Sequence, residues 1–259
     1  MSATANEDIE IRTLDGTAQA YVSTPADPTT PATAGGRSPH PGVLFFVDAI
    51  GLRAQTKKMA DRIASWGYTV LVPHVFYRDG SAAELAPAHD LLNSDTRAEF
   101  IATAMPRVRA LTPELAERDL IAYLGALEQL TPGPVAAIGY CMGGRLALHA
   151  GALRPDIVTA LAMFHTGGLV LDSPDSPHRM LAAVQATVLA IHADNDRSMP
   201  AQAIARFEHA LIEAGVIHSA TVYPGAEHGY TMADTGVYHH EAAEYHYTQL
   251  HKLLANALG

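Results

Sequence analysis

The chain's only cysteine, Cys141, stands inside Gly139-Tyr140-Cys141-Met142-Gly143-Gly144, and its surroundings are those of a nucleophile. The preceding run Val135-Ala136-Ala137-Ile138, bounded by Pro134 and Gly139, reads as a short buried strand, and Arg145-Leu146-Ala147-Leu148-His149-Ala150 has the composition of a helix. A tight strand-to-helix turn follows. Gly139 and Gly143 flank the cysteine at the spacing of a glycine-x-nucleophile-x-glycine elbow, where small neighbours let a strained residue project over a sheet edge. A thiol at a helix N-terminus also sits where the peptide dipoles favour the thiolate. The plainer reading, a small buried hydrophobe, does not account for the glycines or the turn.

A nucleophilic thiol needs a base to take its proton and a carboxylate to orient that base. Both are expected in loops that follow strands. After the apolar run ending at Ile191 comes His192-Ala193-Asp194-Asn195-Asp196-Arg197-Ser198-Met199-Pro200, and after the run ending at Tyr223 comes Pro224-Gly225-Ala226-Glu227-His228-Gly229-Tyr230. His228 is the candidate base; Asp194 and Asp196 compete as the acid, and spacing alone does not choose between them. His165, ahead of Gly167 and Gly168, also follows a strand and is placed to line a pocket. With 14 histidines in the chain, most must be bland. His239, His240, His246 and His251, on the last expected helix, read as surface or packing residues in preference to metal ligands.

The elements that position these loops are legible as alternating apolar runs and amphipathic stretches. Ile9-Glu10-Ile11 and Ala20-Tyr21-Val22 form a hairpin about Asp15-Gly16, and an irregular loop runs from Pro25 to Pro41. Strands are expected at Val43 to Val47, Thr69 to Val72, Val158 to Phe164, Thr187 to Ile191 and Ser219 to Tyr223. Helices are expected near Gln55 to Trp66, Ala83 to Leu92, Thr96 to Met105 and Pro113 to Leu130. Three more follow near Pro177 to Val184, Pro200 to Ala214 and Tyr238 to Leu258. Such alternation implies a mostly parallel sheet with helices on both faces, with function gathered at the carboxyl ends of the strands.

At 259 residues and 48% hydrophobic content the chain can bury one full core, so a single α/β domain is expected over residues 1–259. The formal charge of −10 argues against nucleic acid or an anionic membrane as partner. No apolar run reaches the roughly 18 residues of a membrane span, Met1 to Glu10 lacks a signal pattern, and a lone cysteine forms no intramolecular disulfide; a cytoplasmic location is expected. The oligomeric state is not readable from these features.

The order nucleophile, acid, histidine is that of α/β-hydrolases, and the motifs resemble the dienelactone hydrolase family from the opening hairpin to the last helix. The cysteine elbow is similar to Gly139-Tyr140-Cys141-Met142-Gly143-Gly144, the Asp-x-x-x-Pro acid loop to Asp196 to Pro200, and the histidine loop to Tyr223-Pro224-Gly225-Ala226-Glu227-His228-Gly229. The resemblance selects Asp196 over Asp194. It also gives meaning to Val47-Asp48-Ala49-Ile50-Gly51: Asp48 stands where the family carries a glutamate beside the cysteine, implying control of the thiol proton. The backbone N–H groups of Ala49 and Met142 match the family's oxyanion hole.

Val75-Phe76-Tyr77-Arg78 resembles the segment whose arginine binds a substrate carboxylate, so the resemblance implies substrate contacts from Arg78 and Tyr77. A second arginine of the lactone-hydrolysing members is replaced here by Met232, which leaves half an anion clamp unless Arg53 or Arg145 substitutes. The implied function is an α/β-hydrolase of small esters or lactones working through Cys141, His228 and Asp196 and an acyl-thiol intermediate, without metal or organic cofactor. A general carboxylesterase or thioesterase, or a noncatalytic small-ligand module on the same fold, are the alternatives.

Overall fold

The computed structural model describes residues 3–26 and 38–259. The opening hairpin pairs β1 (Thr4–Thr13) with β2 (Gly16–Pro25), antiparallel, with Ile9 opposite Ala20. The proline- and glycine-rich loop expected between Pro25 and Pro41 falls largely outside the described residues. Then follow β3 (Gly42–Phe46), α1 (Ala54–Ala64), β4 (Thr69–Pro73), α2 (Ser94–Ala110) and α3 (Pro113–Leu130). The second half contains β5 (Val135–Tyr140), α4 (Gly143–Leu153), β6 (Val158–Phe164), β7 (Thr187–Ala193), α5 (Ala201–Glu213), β8 (His218–Tyr223) and α6 (His240–Leu258).

Among the described residues, eight strands make one sheet in the order β1-β2-β4-β3-β5-β6-β7-β8. Only β2 runs against the rest, antiparallel to both β1 and β4; β4, β3, β5, β6, β7 and β8 are parallel neighbours. The middle strands read as unbroken apolar runs because both their faces are covered, and every residue of β3 and β5 is buried. On one face α1 and α6 are joined by Arg62 donating to Glu244 at 2.6 Å and by Trp66 edge-on to Tyr247. On the other, α3 packs on α4, and α4 lies over β3, β5 and β6. This is the α/β-hydrolase arrangement expected.

Local chemistry explains where the helices begin. Asn93 caps α2 by accepting from the N–H groups of Asp95 and Thr96, and Thr112 caps α3 ahead of Pro113 in its first turn. The helix α2 runs on to Ala110, past the expected end at Met105 and through Pro106, because its buried face continues with Ala104 and Val108. The helix expected at Ala83 to Leu92 is absent: Ser81 and Glu84 close a single turn, Pro87 interrupts, and Leu91 is drawn into a bridge with Thr235. Residues Pro177–Ala183 form a 3-10 segment rather than an α-helix. No helix among the described residues is long and apolar enough to cross a membrane.

Candidate active site

The turn after β5 places Cys141 at φ 55°, in the left-handed region that costs a side chain energy. The surrounding sheet fixes it there: its N–H donates to Phe164 O at 3.1 Å, and its carbonyl accepts from Gly144 N at 3.3 Å. The glycines are demanded by contact. A Cβ on Gly139 would overlap the Gly143 carbonyl, and one on Gly143 would lie 2.5 Å from Val47 O.

The loop after β8 brings His228 Nε2 to 3.0 Å from Cys141 Sγ, and the loop after β7 brings Asp196 Oδ2 to 2.6 Å from His228 Nδ1. The other Asp196 oxygen accepts from Ser198 N at 2.8 Å and Ser198 Oγ at 2.6 Å. Burial pushes the Asp196 carboxyl up, but hydrogen bonding and charge from His228, with Ser198, outweigh it and hold the group down at about 2. For His228 burial works against the charged imidazole, yet the charge of Cys141 and the bond to Asp196 raise it well above the ordinary histidine range. Asp194 has a different task. Its oxygens accept from Asn195 N and Gly225 N, which ties the acid loop to the histidine loop without touching His228.

These side chains open on a cavity of roughly 430 Å³ that Cys141, Met142, Ala49, His165, His228 and Met232 help to line. Met232 is a buried apolar wall. His165, at φ 40°, sits edge-on to His228 with ring centres 5.3 Å apart, and its Nε2 lies 2.8 Å from Thr231 Oγ1. Its burial pushes it well below the ordinary histidine range, so it is a neutral ring packed against His228. Neither Ala49 N–H nor Met142 N–H donates a hydrogen bond among the described residues. The Ala49 loop is held from outside by Arg107, which donates to Ala49 O at 3.0 Å and Ile50 O at 3.2 Å.

Asp48 lines the same cavity, but its oxygens accept from Arg53, Ile50 N and Gly51 N, and no hydrogen bond joins it to Cys141. The placement of Arg78 and Tyr77 corrects the expectation that they meet substrate. Both lie outside the cavity, beyond β4, where Arg78 donates to Asp119 and Asp15 and Tyr77 donates to Asp119 at 2.8 Å. The buried Asp119 carboxylate draws them toward α3. A motif cannot reveal this, because the competing acid comes from a helix about 40 residues away.

The late histidines go separate ways: His239 caps α6, His246 is buried against Tyr140 and Phe164, and His251 stacks on Trp66. Sequence reasoning missed Ser198, whose signal was an Asp-x-Ser turn, and the wall contributed by α2, including Arg97, Ile101 and Met105. The α2 residues carry no chemical signature and are found only by packing.

Comparison with known proteins agrees with this architecture. The model of the dienelactone hydrolase family matches residues 19–258. A Yersinia pestis protein named for carboxymethylenebutenolidase activity is 26% identical over 208 residues, covering 80% of this chain and 74% of that protein. A Synechocystis protein of the same name is 27% identical over 213 residues, covering 79% and 81%. Among solved structures, one from Klebsiella pneumoniae named as a dienelactone hydrolase superposes with a TM-score of 0.80 at 21% identity, covering 98% of this chain and 99% of that one. A dienelactone hydrolase-like promiscuous phosphotriesterase from metagenomic libraries gives 0.72 at 20% identity over the full length of both. With its family match spanning all but the ends of the chain, on the fold just described, this protein belongs to the dienelactone hydrolase family of hydrolases.

Proposed function

We propose that the protein hydrolyses a small ester or lactone through a Cys141–His228–Asp196 relay and a covalent acyl-thiol intermediate. The observation that carries this reading is the unbroken chain from sulfur to imidazole to carboxylate, 3.0 and 2.6 Å, at the wall of an accessible cavity. The raised basicity of His228 favours an imidazolium beside a thiolate. The thiolate attacks the substrate carbonyl, and the free N–H groups of Ala49 and Met142 receive the charge that develops on its oxygen. Collapse of the tetrahedral intermediate expels the alcohol oxygen, which takes the proton from His228 Nε2 and leaves an acyl-thioester.

His228, neutral after that transfer, deprotonates the incoming water. The hydroxide adds to the thioester carbonyl, the C–S bond breaks, and the thiolate–imidazolium pair returns. Asp196 stays ionised throughout, fixing the Nδ1–H tautomer and stabilising the imidazolium. The test is hydrolysis of lactones, aryl esters and thioesters by the wild type beside Cys141→Ala and His228→Ala. Turnover lost in both variants supports the relay, together with a trapped acyl adduct on Cys141 in mass spectra. Turnover that survives Cys141→Ala rejects it.

A further inference from the structure

Resting on that esterase reading, we infer that Arg107 is a positioning residue for the oxyanion site: reaching across from α2, it holds the loop that presents the Ala49 N–H. Arg107 is not part of the cavity wall and takes no part in the relay. It acts through the peptide groups between Asp48 and Gly51.

A backbone N–H serves a developing charge when its peptide plane is fixed in advance and the N–H itself is unspent. In the first peptide of this loop, Asp48 O accepts from Gly51 N at 3.1 Å. That peptide is trans, so its N–H, on Ala49, points the opposite way, and it donates to nothing among the described residues. In the second, Ile50 N donates to Asp48 Oδ1 at 3.1 Å while Ala49 O accepts from Arg107 Nη2 at 3.0 Å. In the third, Gly51 N donates to Asp48 while Ile50 O accepts from the same Nη2 at 3.2 Å. Asp48 thus fixes the N–H ends and Arg107 the carbonyl ends, and the N–H left over belongs to Ala49, a residue of the cavity wall. Without Arg107 the second and third peptides are held at one end only, and the Gly51 bond that aims the first is loosened with them.

The setting of Arg107 suits this task. Its guanidinium lies over the Phe76 ring, 4.9 Å from the centre, and Phe76 is also what a Cβ on Gly51 would touch, at 3.7 Å. A planar cation stacked on that ring presents two N–H groups of one nitrogen to two adjacent carbonyls, a geometry that an ammonium does not hold. The helix that carries it has little apolar anchorage, since only Ala104 and Val108 of α2 are buried. The same helix gives Ile101, Met105 and Val108 to the cavity wall. One side chain therefore ties the helix that covers the apolar body of a substrate to the loop that receives its charge.

The test measures hydrolysis of 4-nitrophenyl butyrate by wild type, Arg107→Met and Arg107→Lys, with circular dichroism and urea unfolding to establish that each is folded. Acylation and deacylation both put charge on the carbonyl oxygen. Arg107→Met is therefore expected to lower kcat about 10- to 100-fold with KM little changed, less than the loss of a whole oxyanion donor, and Arg107→Lys to recover part of it. If Arg107→Met does not fold, Arg107→Lys carries the same comparison. Two further readouts separate positioning from general damage. A trifluoromethyl ketone, 1,1,1-trifluoro-2-octanone, adds to the Cys141 thiolate without turnover, forming a C–S bond and leaving the charge on the former carbonyl oxygen; its affinity should fall in step with kcat. Iodoacetamide alkylation, in which sulfur displaces iodide from carbon and no carbonyl oxygen takes charge, should keep its rate. An unchanged kcat, with or without a raised KM, overturns the proposal, since Arg107 then does no more than shape the cover; labelling that slows in step with kcat overturns it too. If wild type cleaves no ester, the esterase reading fails, and the ketone's affinity with and without Arg107→Met decides the role of Arg107 separately.

Discussion

Arg53 grips Asp48 with both terminal nitrogens, at 2.7 and 3.1 Å, and the same guanidinium forks Asp234 at 2.6 and 3.1 Å. Asp48 opens the loop that carries Ala49, and Asp234 closes the loop that carries His228 and Met232. One buried cation thus sutures the two sides of the cavity. It also keeps the Asp48 carboxylate occupied, which leaves His228 as the hydrogen-bond partner of the Cys141 sulfur.

Removing that cation should be felt first as instability. Arg53→Met strands two carboxylates, one of them 5% exposed, and breaking a buried pair in this way costs about 3–5 kcal/mol. Arg53→Lys should recover only part, because an ammonium cannot fork two carboxylates. Adding Asp48→Asn to Arg53→Met should restore some of the loss. Urea unfolding of wild type, the two Arg53 variants, Asp48→Asn and the double mutant measures this; an additive double mutant would show that the pair is not coupled.

The two aspartates of the acid loop should separate cleanly in kinetics. Asp196→Asn removes the acceptor 2.6 Å from His228 Nδ1 and should lower kcat by at least about 100-fold, since it removes the charge that holds the tautomer. Asp194→Asn loosens only the link to Gly225 and should cost far less. Ser198→Ala, which deletes a 2.6 Å bond to Asp196, should fall between them. Equal losses for the two aspartates, with circular dichroism unchanged, would contradict the geometry.

What the sequence could announce, and what it could not, follows from the range of the interactions. Gly139, Cys141 and Gly143 declare the elbow because the steric demand is local: each glycine is needed within a few residues of the thiol. The strands are legible because burial on both faces makes them continuous apolar runs. The choice of Asp196 over Asp194 came from a family motif; geometry alone would have made it through the 2.6 Å bond to His228. Arginine placement was not legible. Arg78 and Arg145 are alike as letters, and only the location of Asp119 sends one out of the cavity while the other stays in it. The failed helix at Ala83 to Leu92 has the same cause, a bridge to Thr235 across some 140 residues of chain.

The thiol should react through its contact with His228. His228 Nε2 lies 3.0 Å from Cys141 Sγ, and the bond from Nδ1 to Asp196 Oδ2 holds the ring there. Iodoacetamide labelling of Cys141 at pH 7 should therefore be faster in wild type than in His228→Ala, because a base at the sulfur assists loss of its proton. Equal labelling rates in the two proteins would remove His228 from activation of the thiol.

Acid stability should report on His246. The ring is fully buried against Tyr140 and Phe164, its Nδ1 contacts the Ala243 carbonyl, and burial pulls its pKa down to about 3. The folded value is below the unfolded value of about 6.5. As pH falls below 6.5 the unfolded chain takes a proton that the native ring refuses, so stability is lost progressively until pH approaches the folded value. At pH 5 this one group should cost about 2 kcal/mol. His192 and His165 add losses of the same sign, which makes wild type alone uninformative. His246→Phe keeps an aromatic ring of similar size against Tyr140 and cannot titrate. Its stability at pH 7 should drop, since the Tyr140 hydroxyl loses a partner 3.3 Å away, but its further loss between pH 7 and pH 5 should be smaller than wild type's by about 2 kcal/mol. Urea midpoints at the two pH values give both numbers, and an identical pH-dependent loss in the two proteins would show that His246 is protonated in the folded state.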